Sequence, residues 1–177
     1  YTAEEGKEYT IEELLRLMLV YSDNASYEAL EAFIANEPQR EVIRLRTFQE
    51  LGLIDPKDRI EAALSVRGYS SLFRLLYNVS FLDAEFSEKI FEWLKVSEYR
   101  DGLVAGVPQG TPVAHKFGER FFADNVKQLS DCGIVYFTDN PYLLCVMAKG
   151  KDLNELAKII STISQMVYEE VDSRRIQ

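Results

Sequence analysis

The chain has 177 residues, of which 47% are hydrophobic and 28% charged. That is the balance of a globular protein long enough to bury a core without metals or disulfide staples. A formal charge of −9 excludes a surface built for nucleic-acid phosphates or anionic lipid, which need clustered Lys and Arg, and no apolar run approaches the ~20 residues of a membrane span.

Thr10-Ile11-Glu12-Glu13 reads as a capping box, and Ile11, Leu14, Leu15, Met18 and Tyr21 follow at helical spacing. That helix stops at Ser22-Asp23-Asn24, where a second begins, carrying Tyr27, Leu30, Phe33 and Ile34 and ending before Pro38. A third runs from about Arg40 to Leu51 and closes at Gly52. Asp55-Pro56-Lys57-Asp58 reads as a loop. Ser65 caps the next helix, and Asp83 starts another with Phe86, Ile90, Phe91 and Leu94 inward. After a loop punctuated by Gly102, Gly106, Pro108 and Gly110, strands are expected at Pro112–Gly118, Gly133–Phe137 and Tyr142–Ala148. A last helix starts near Asp152, with Leu153, Leu156, Ile160, Ile163 and Val167 on its buried stripe. Helices, then strands, then one helix make an α+β fold: a helical subdomain followed by an antiparallel sheet with a carboxy-terminal helix packed on it.

His115 is the only histidine, and Cys132 and Cys145 are the only cysteines. These are too few soft ligands for a structural zinc, and a catalytic zinc with two or three histidines is impossible. Neither metal nor cofactor is expected. The cysteines fall on neighbouring strands, where a bridge is usually strained, so both are expected as small buried hydrophobes.

Two stretches have the residue types for chemistry. In Ser22-Asp23-Asn24, a hydroxyl that can relay a proton and an amide that can hold an acyl group sit two residues apart at a helix junction. The same residues also suit a plain helix stop and restart. In Val113-Ala114-His115-Lys116-Phe117-Gly118-Glu119, strand alternation sends His115 and Phe117 one way and Lys116 the other. Gly118 would let a substrate or another backbone approach closely. Taken alone, this stretch equally suits a surface strand with an exposed lysine.

Together the two follow the S-D-N and K-T-G motifs of class A β-lactamases and penicillin-binding proteins, in the order those motifs take. Tyr99-Arg100-Asp101-Gly102-Leu103-Val104-Ala105-Gly106, Asp131-Cys132-Gly133-Ile134-Val135-Tyr136 and the closing Tyr142–Gly150 also resemble these serine hydrolases. The resemblance implies a single β-lactamase-like domain over 1–177 that lacks the amino-terminal strands and the nucleophile helix. It implies acyl transfer on a lactam or a peptidoglycan-peptide-like amide through a serine acyl-enzyme. By analogy, Ser22 shuttles a proton and Lys116 supplies positive charge, while Asn24, Phe117, Gly118 and His115 line the substrate. An extracytoplasmic location, in the periplasm or cell envelope, is implied by the family alone.

Three departures matter. No serine has a lysine three residues on, so the nucleophile is expected in an upstream segment. The threonine of K-T-G is Phe117, which removes a hydroxyl that would bond a substrate carboxylate. Between Gly52 and Gly68, Asp58 and Glu61 are the only acids near the middle to activate a deacylating water, and neither fits the family's spacing. The strand at Tyr142–Ala148 would have an unpaired edge, and the expected partner is the upstream segment or a second copy of the chain. The alternative to an enzyme is a fragment or degenerate paralogue that keeps the fold for binding or assembly.

Overall fold

The computed structural model describes residues 2–35, 37–53 and 65–175. The loop expected at Asp55–Asp58, with Asp58 and Glu61, lies outside the described residues. The chain divides into two compact units, Tyr1–Val96 and Ser97–Gln177.

The first unit is helical. In α1 (Ile11–Val20) the expected capping box is formed: Thr10 Oγ1 accepts from the Glu13 amide at 3.2 Å, and Glu13 accepts from the Thr10 amide at 2.7 Å. Next come α2 (Asn24–Ala35) and α3 (Arg40–Glu50), which is followed by Gly52 at φ +67°. Ser65 and Asp83 cap α4 (Val66–Tyr77) and α5 (Ala84–Lys95) through their side-chain oxygens. Leu14, Val20, Phe73, Phe91 and Leu94 are buried, and α1 packs on α2 and α5. Phe86, expected inward, is exposed. The buried face of α5 runs through Ser87, Phe91 and Leu94, and Phe86 lies one residue, about 100° of helix rotation, off that stripe.

The second unit is an antiparallel sheet of three strands in the order β1-β2-β3: β1 (Val113–Phe121), β2 (Lys127–Val135) and β3 (Tyr142–Gly150). Helix α6 (Leu153–Arg175) and a short 3-10 turn at Leu103–Gly106 complete it. Leu103, Val113, Leu129, Val135, Leu156, Ala157 and Ile160 form one buried cluster between sheet and helix. The fold is therefore α+β, as expected.

Several boundaries differ from expectation. Strand β1 continues past Gly118 to Phe121, and β2 begins at Lys127, not Gly133. The hairpin between them turns through Asp124 and Asn125, both at positive φ (59° and 58°). That is the left-handed pair a tight hairpin needs, and Asn and Asp tolerate it best after Gly. On α6 the buried stripe includes Ala157 and Ser164, while Leu153, Ile163 and Val167 are half-buried. Small residues belong there because the 3-10 turn comes close: a Cβ on Gly106 would lie 2.2 Å from the Ser161 carbonyl oxygen.

The cysteines also differ. The β2–β3 register sets Cys132 directly opposite Cys145, with Cα atoms 4.0 Å apart, and the two are joined in a disulfide. Facing positions on antiparallel strands bring Cβ atoms within bonding reach, a relation that sequence separation alone does not reveal.

Candidate active site

In the first unit, the chain must end α1 and restart as α2 within three residues. Ser22 makes the bend in the left-handed region, at φ 55°, which costs an L-residue about 1–2 kcal/mol. Asp23 stabilises that geometry. Its carboxylate accepts from the Ser26 amide at 2.9 Å, the Ser26 hydroxyl at 2.5 Å, the Thr2 hydroxyl at 2.5 Å and the Ala3 amide at 3.0 Å. Burial pushes the Asp23 pKa up, but these four donors outweigh it and hold the carboxyl well below its ordinary range. Asp23 is thus occupied in fixing the junction. Ser22 is left half-buried and Asn24 exposed.

In the second unit, β1 sorts the other candidates onto two faces. Lys116 pairs with Cys132 and Gly118 with Ser130, so these four share a face. His115 and Phe117, with Asp131 opposite Phe117, share the other, on the side of the buried cluster. Lys116 is half-buried. Its Nζ donates to the Phe117 carbonyl oxygen at 3.1 Å and lies 4.6 Å from the Phe117 ring centroid. Burial lowers the Lys116 pKa to about 8, against the Asp131 charge, which raises it. At Gly118 an added Cβ would sit 3.2 Å from Ser130 Oγ, and that hydroxyl donates to the Gly118 carbonyl oxygen at 3.1 Å.

His115 and Phe117 are not where a substrate-lining role would put them. His115 is fully buried, with Nδ1 at 2.8 Å from Asp131 Oδ1. Asp131 Oδ2 accepts in turn from the Leu103 amide at 2.9 Å. Phe117 packs against the buried cluster and stacks on Tyr99, with centroids 4.2 Å apart and planes at 21°. Both side chains turn toward the core, on the face of β1 opposite Lys116 that strand alternation leads one to expect. Tyr99 and Asp131 had no functional reading in the sequence. Burial, followed by the charges of Asp131, Asp101 and Glu119, raises the Tyr99 pKa far above its ordinary value. Asp131 closes the mostly polar run Lys127–Asp131 just ahead of the expected strand, and that run carried no functional signal.

The sequence model of the Beta-lactamase enzyme family matches residues 1–171. The chain belongs to that family. Solved structures share its fold. PBP-A matches with a TM-score of 0.74 at 20% identity, over 97% of this chain and 64% of its own. A PBP-A mutant, solved as an acyl-enzyme complex with penicillin G, matches with a TM-score of 0.74 at 20% identity, over 97% of this chain and 65% of its own. A class A β-lactamase from Bacteroides cellulosilyticus matches with a TM-score of 0.68 at 21% identity, over 91% of this chain and 63% of its own. The chain therefore spans less than two thirds of the length of these relatives. No curated protein matches it. Among the described residues of this β-lactamase-family chain, no helix is long and apolar enough to cross a membrane.

Proposed function

We propose that this β-lactamase-family chain is the carboxy-terminal part of a serine acyl-transferase or hydrolase that acts on lactam or peptide-like amides. The observation that carries the reading is the local setting of the two motifs. Ser22-Asp23-Asn24 is a bend fixed by four hydrogen bonds to Asp23, and Lys116 is a half-buried cation on a strand. In this reading a serine, supplied by the part of the relatives' length that the chain does not span, attacks the substrate carbonyl and forms an acyl-enzyme. Ser22 relays the proton, Asn24 holds the substrate's side-chain amide, Lys116 supplies positive charge and Gly118 lets the substrate lie close to β1. The upstream segment also pairs with β3 and covers its edge. The protein works outside the cytoplasm, as the family generally does.

A fluorescent penicillin tests the reading. The protein extended to include the upstream segment should be labelled covalently, and Lys116→Ala should abolish labelling. Absence of labelling in the extended protein overturns the enzyme reading. A second reading, a non-catalytic module, is supported by Phe117 standing where the family has a hydroxyl. It predicts no labelling by any lactam.

A further inference from the structure

We propose that Phe117 is a positioning residue for Lys116: its ring and its carbonyl, backed by Tyr99, seat the ammonium at the free edge of β1. The seat stands on the geometry of the second unit alone, and its part in acyl transfer rests on the reading above.

An edge strand makes the arrangement possible. β1 ends the sheet order β1-β2-β3, so no strand of the described sheet blocks its outer side. Lys116 and Phe117 leave β1 on opposite faces, yet the four-carbon stem of a lysine is long enough to fold round that edge. Nζ donates to the Phe117 carbonyl oxygen at 3.1 Å and lies 4.6 Å from the centroid of the Phe117 ring. A cation within about 6 Å of an aromatic face is attracted to it, more strongly where water is withdrawn. Burial works the other way and favours the neutral amine, while the Asp131 charge opposes burial. Ring and carbonyl add to that opposition and tie the ammonium to one place.

The ring is itself held. Tyr99 stacks on it, with centroids 4.2 Å apart and planes at 21°. At these distances Tyr99 and the ammonium cannot share a face, so each takes one. The Tyr99 centroid lies 6.4 Å from that of His115, and a Cβ on Gly102 would fall 2.9 Å from Tyr99 Cε1. His115 is bonded to Asp131, and Asp131 to the Leu103 amide. Asp101 and Glu119 are the other charges that act on Tyr99. With both faces taken, the ring acts through the lysine. A threonine in its place would give the ammonium no aromatic face and Tyr99 no stacking partner.

The test titrates Lys116 in the extended protein by limiting acetylation with acetic anhydride across pH, read on the Lys116 peptide by mass spectrometry. Phe117→Leu keeps apolar bulk but loses the aromatic face, and should lower the Lys116 midpoint by about 0.5–1 on the pH scale. Phe117→Met should do the same and serves if the leucine variant does not fold. Trifluorination of the Phe117 ring keeps its shape but drains its negative face. It should also lower the midpoint, which a merely structural role would not do. The alkaline limb of acylation by a lactam should move with the midpoint. A midpoint unmoved in the folded variants and the fluorinated protein overturns the inference and leaves the acyl-transfer reading standing, and so does a limb that stays while the midpoint moves. Failure of any lactam to label the unaltered extended protein overturns that reading, and with it the part of Phe117 in acyl transfer.

Discussion

Asp131 and His115, both fully buried, face each other across β1 and β2 with Oδ1 and Nδ1 2.8 Å apart. The same carboxylate holds the Leu103 amide at 2.9 Å, so one side chain ties two strands to the 3-10 turn. Two glycines make room for it. A Cβ on Gly102 would fall 2.3 Å from Asp131 Oδ2, and one on Gly133 would fall 2.5 Å from His115 Cβ.

Removing one member leaves the other buried without its partner. Asp131→Ala should destabilise the protein by about 3 kcal/mol, read as a lowered midpoint in urea unfolding. His115→Ala should cost a similar amount, and the double variant less than the sum of the two. Additive losses would show that the pair is not coupled.

At the helix junction, Asp23→Ala removes the acceptor of four hydrogen bonds and should cost about 1–2 kcal/mol, with Asp23→Asn milder. The pH dependence has a definite sign. The folded-state pKa lies below the ordinary 3.8, so the stabilisation is fully present above that value. It is lost as pH falls below it toward the lower folded value. Acid titration of unfolding should therefore show a shallower loss of stability below pH ~4 in the alanine variant.

Much of this was legible because it is local. The Thr10–Glu13 box and the Ser65 and Asp83 caps rest on residues within one turn of each other. What was missed depends on register. The first half of β2, Lys127 to Asp131, has polar side chains that mask a strand, and Asp131 is tolerated inside only because β1 brings His115 to it. The disulfide likewise needs Cys132 opposite Cys145, and the core-facing side of Phe117 needs the sheet to have a known inside. At the candidate site, residue identity and order were readable for Ser22, Asn24 and Lys116. The aromatic seat of Lys116 was not, because Tyr99 lies 17 residues before it in sequence and meets Phe117 only in three dimensions.

The Cys132–Cys145 bridge closes a short loop, with a sequence separation of 13. Its loss should destabilise the protein by about 2–3 kcal/mol. Intact mass under non-reducing conditions should fall two hydrogens short of the reduced form. Cys132→Ser with Cys145→Ser should melt at lower temperature than the oxidised protein and unchanged by reductant. A free-thiol count of two in the native, unreduced protein would contradict the bridge.

The Lys116 pKa of about 8 sets a pH limit on any step that needs the ammonium. That charge is present below the value and lost as pH rises through it, so acylation by a lactam should show an alkaline limb near pH 8. Lys116→Arg keeps the cation at all accessible pH. Whatever activity it retains should lack that limb.

In the function proposed above, Ser22 and Lys116 each assist acylation. The most direct measurement is the rate of covalent labelling by a lactam probe in the extended protein, for the unaltered sequence, Ser22→Ala, Lys116→Ala and the double variant. The account predicts that each single change slows acylation about 100-fold or more. The double variant should be little slower than either, as for groups that act as a unit. Labelling at full rate in both single variants, with the fold intact, would contradict it.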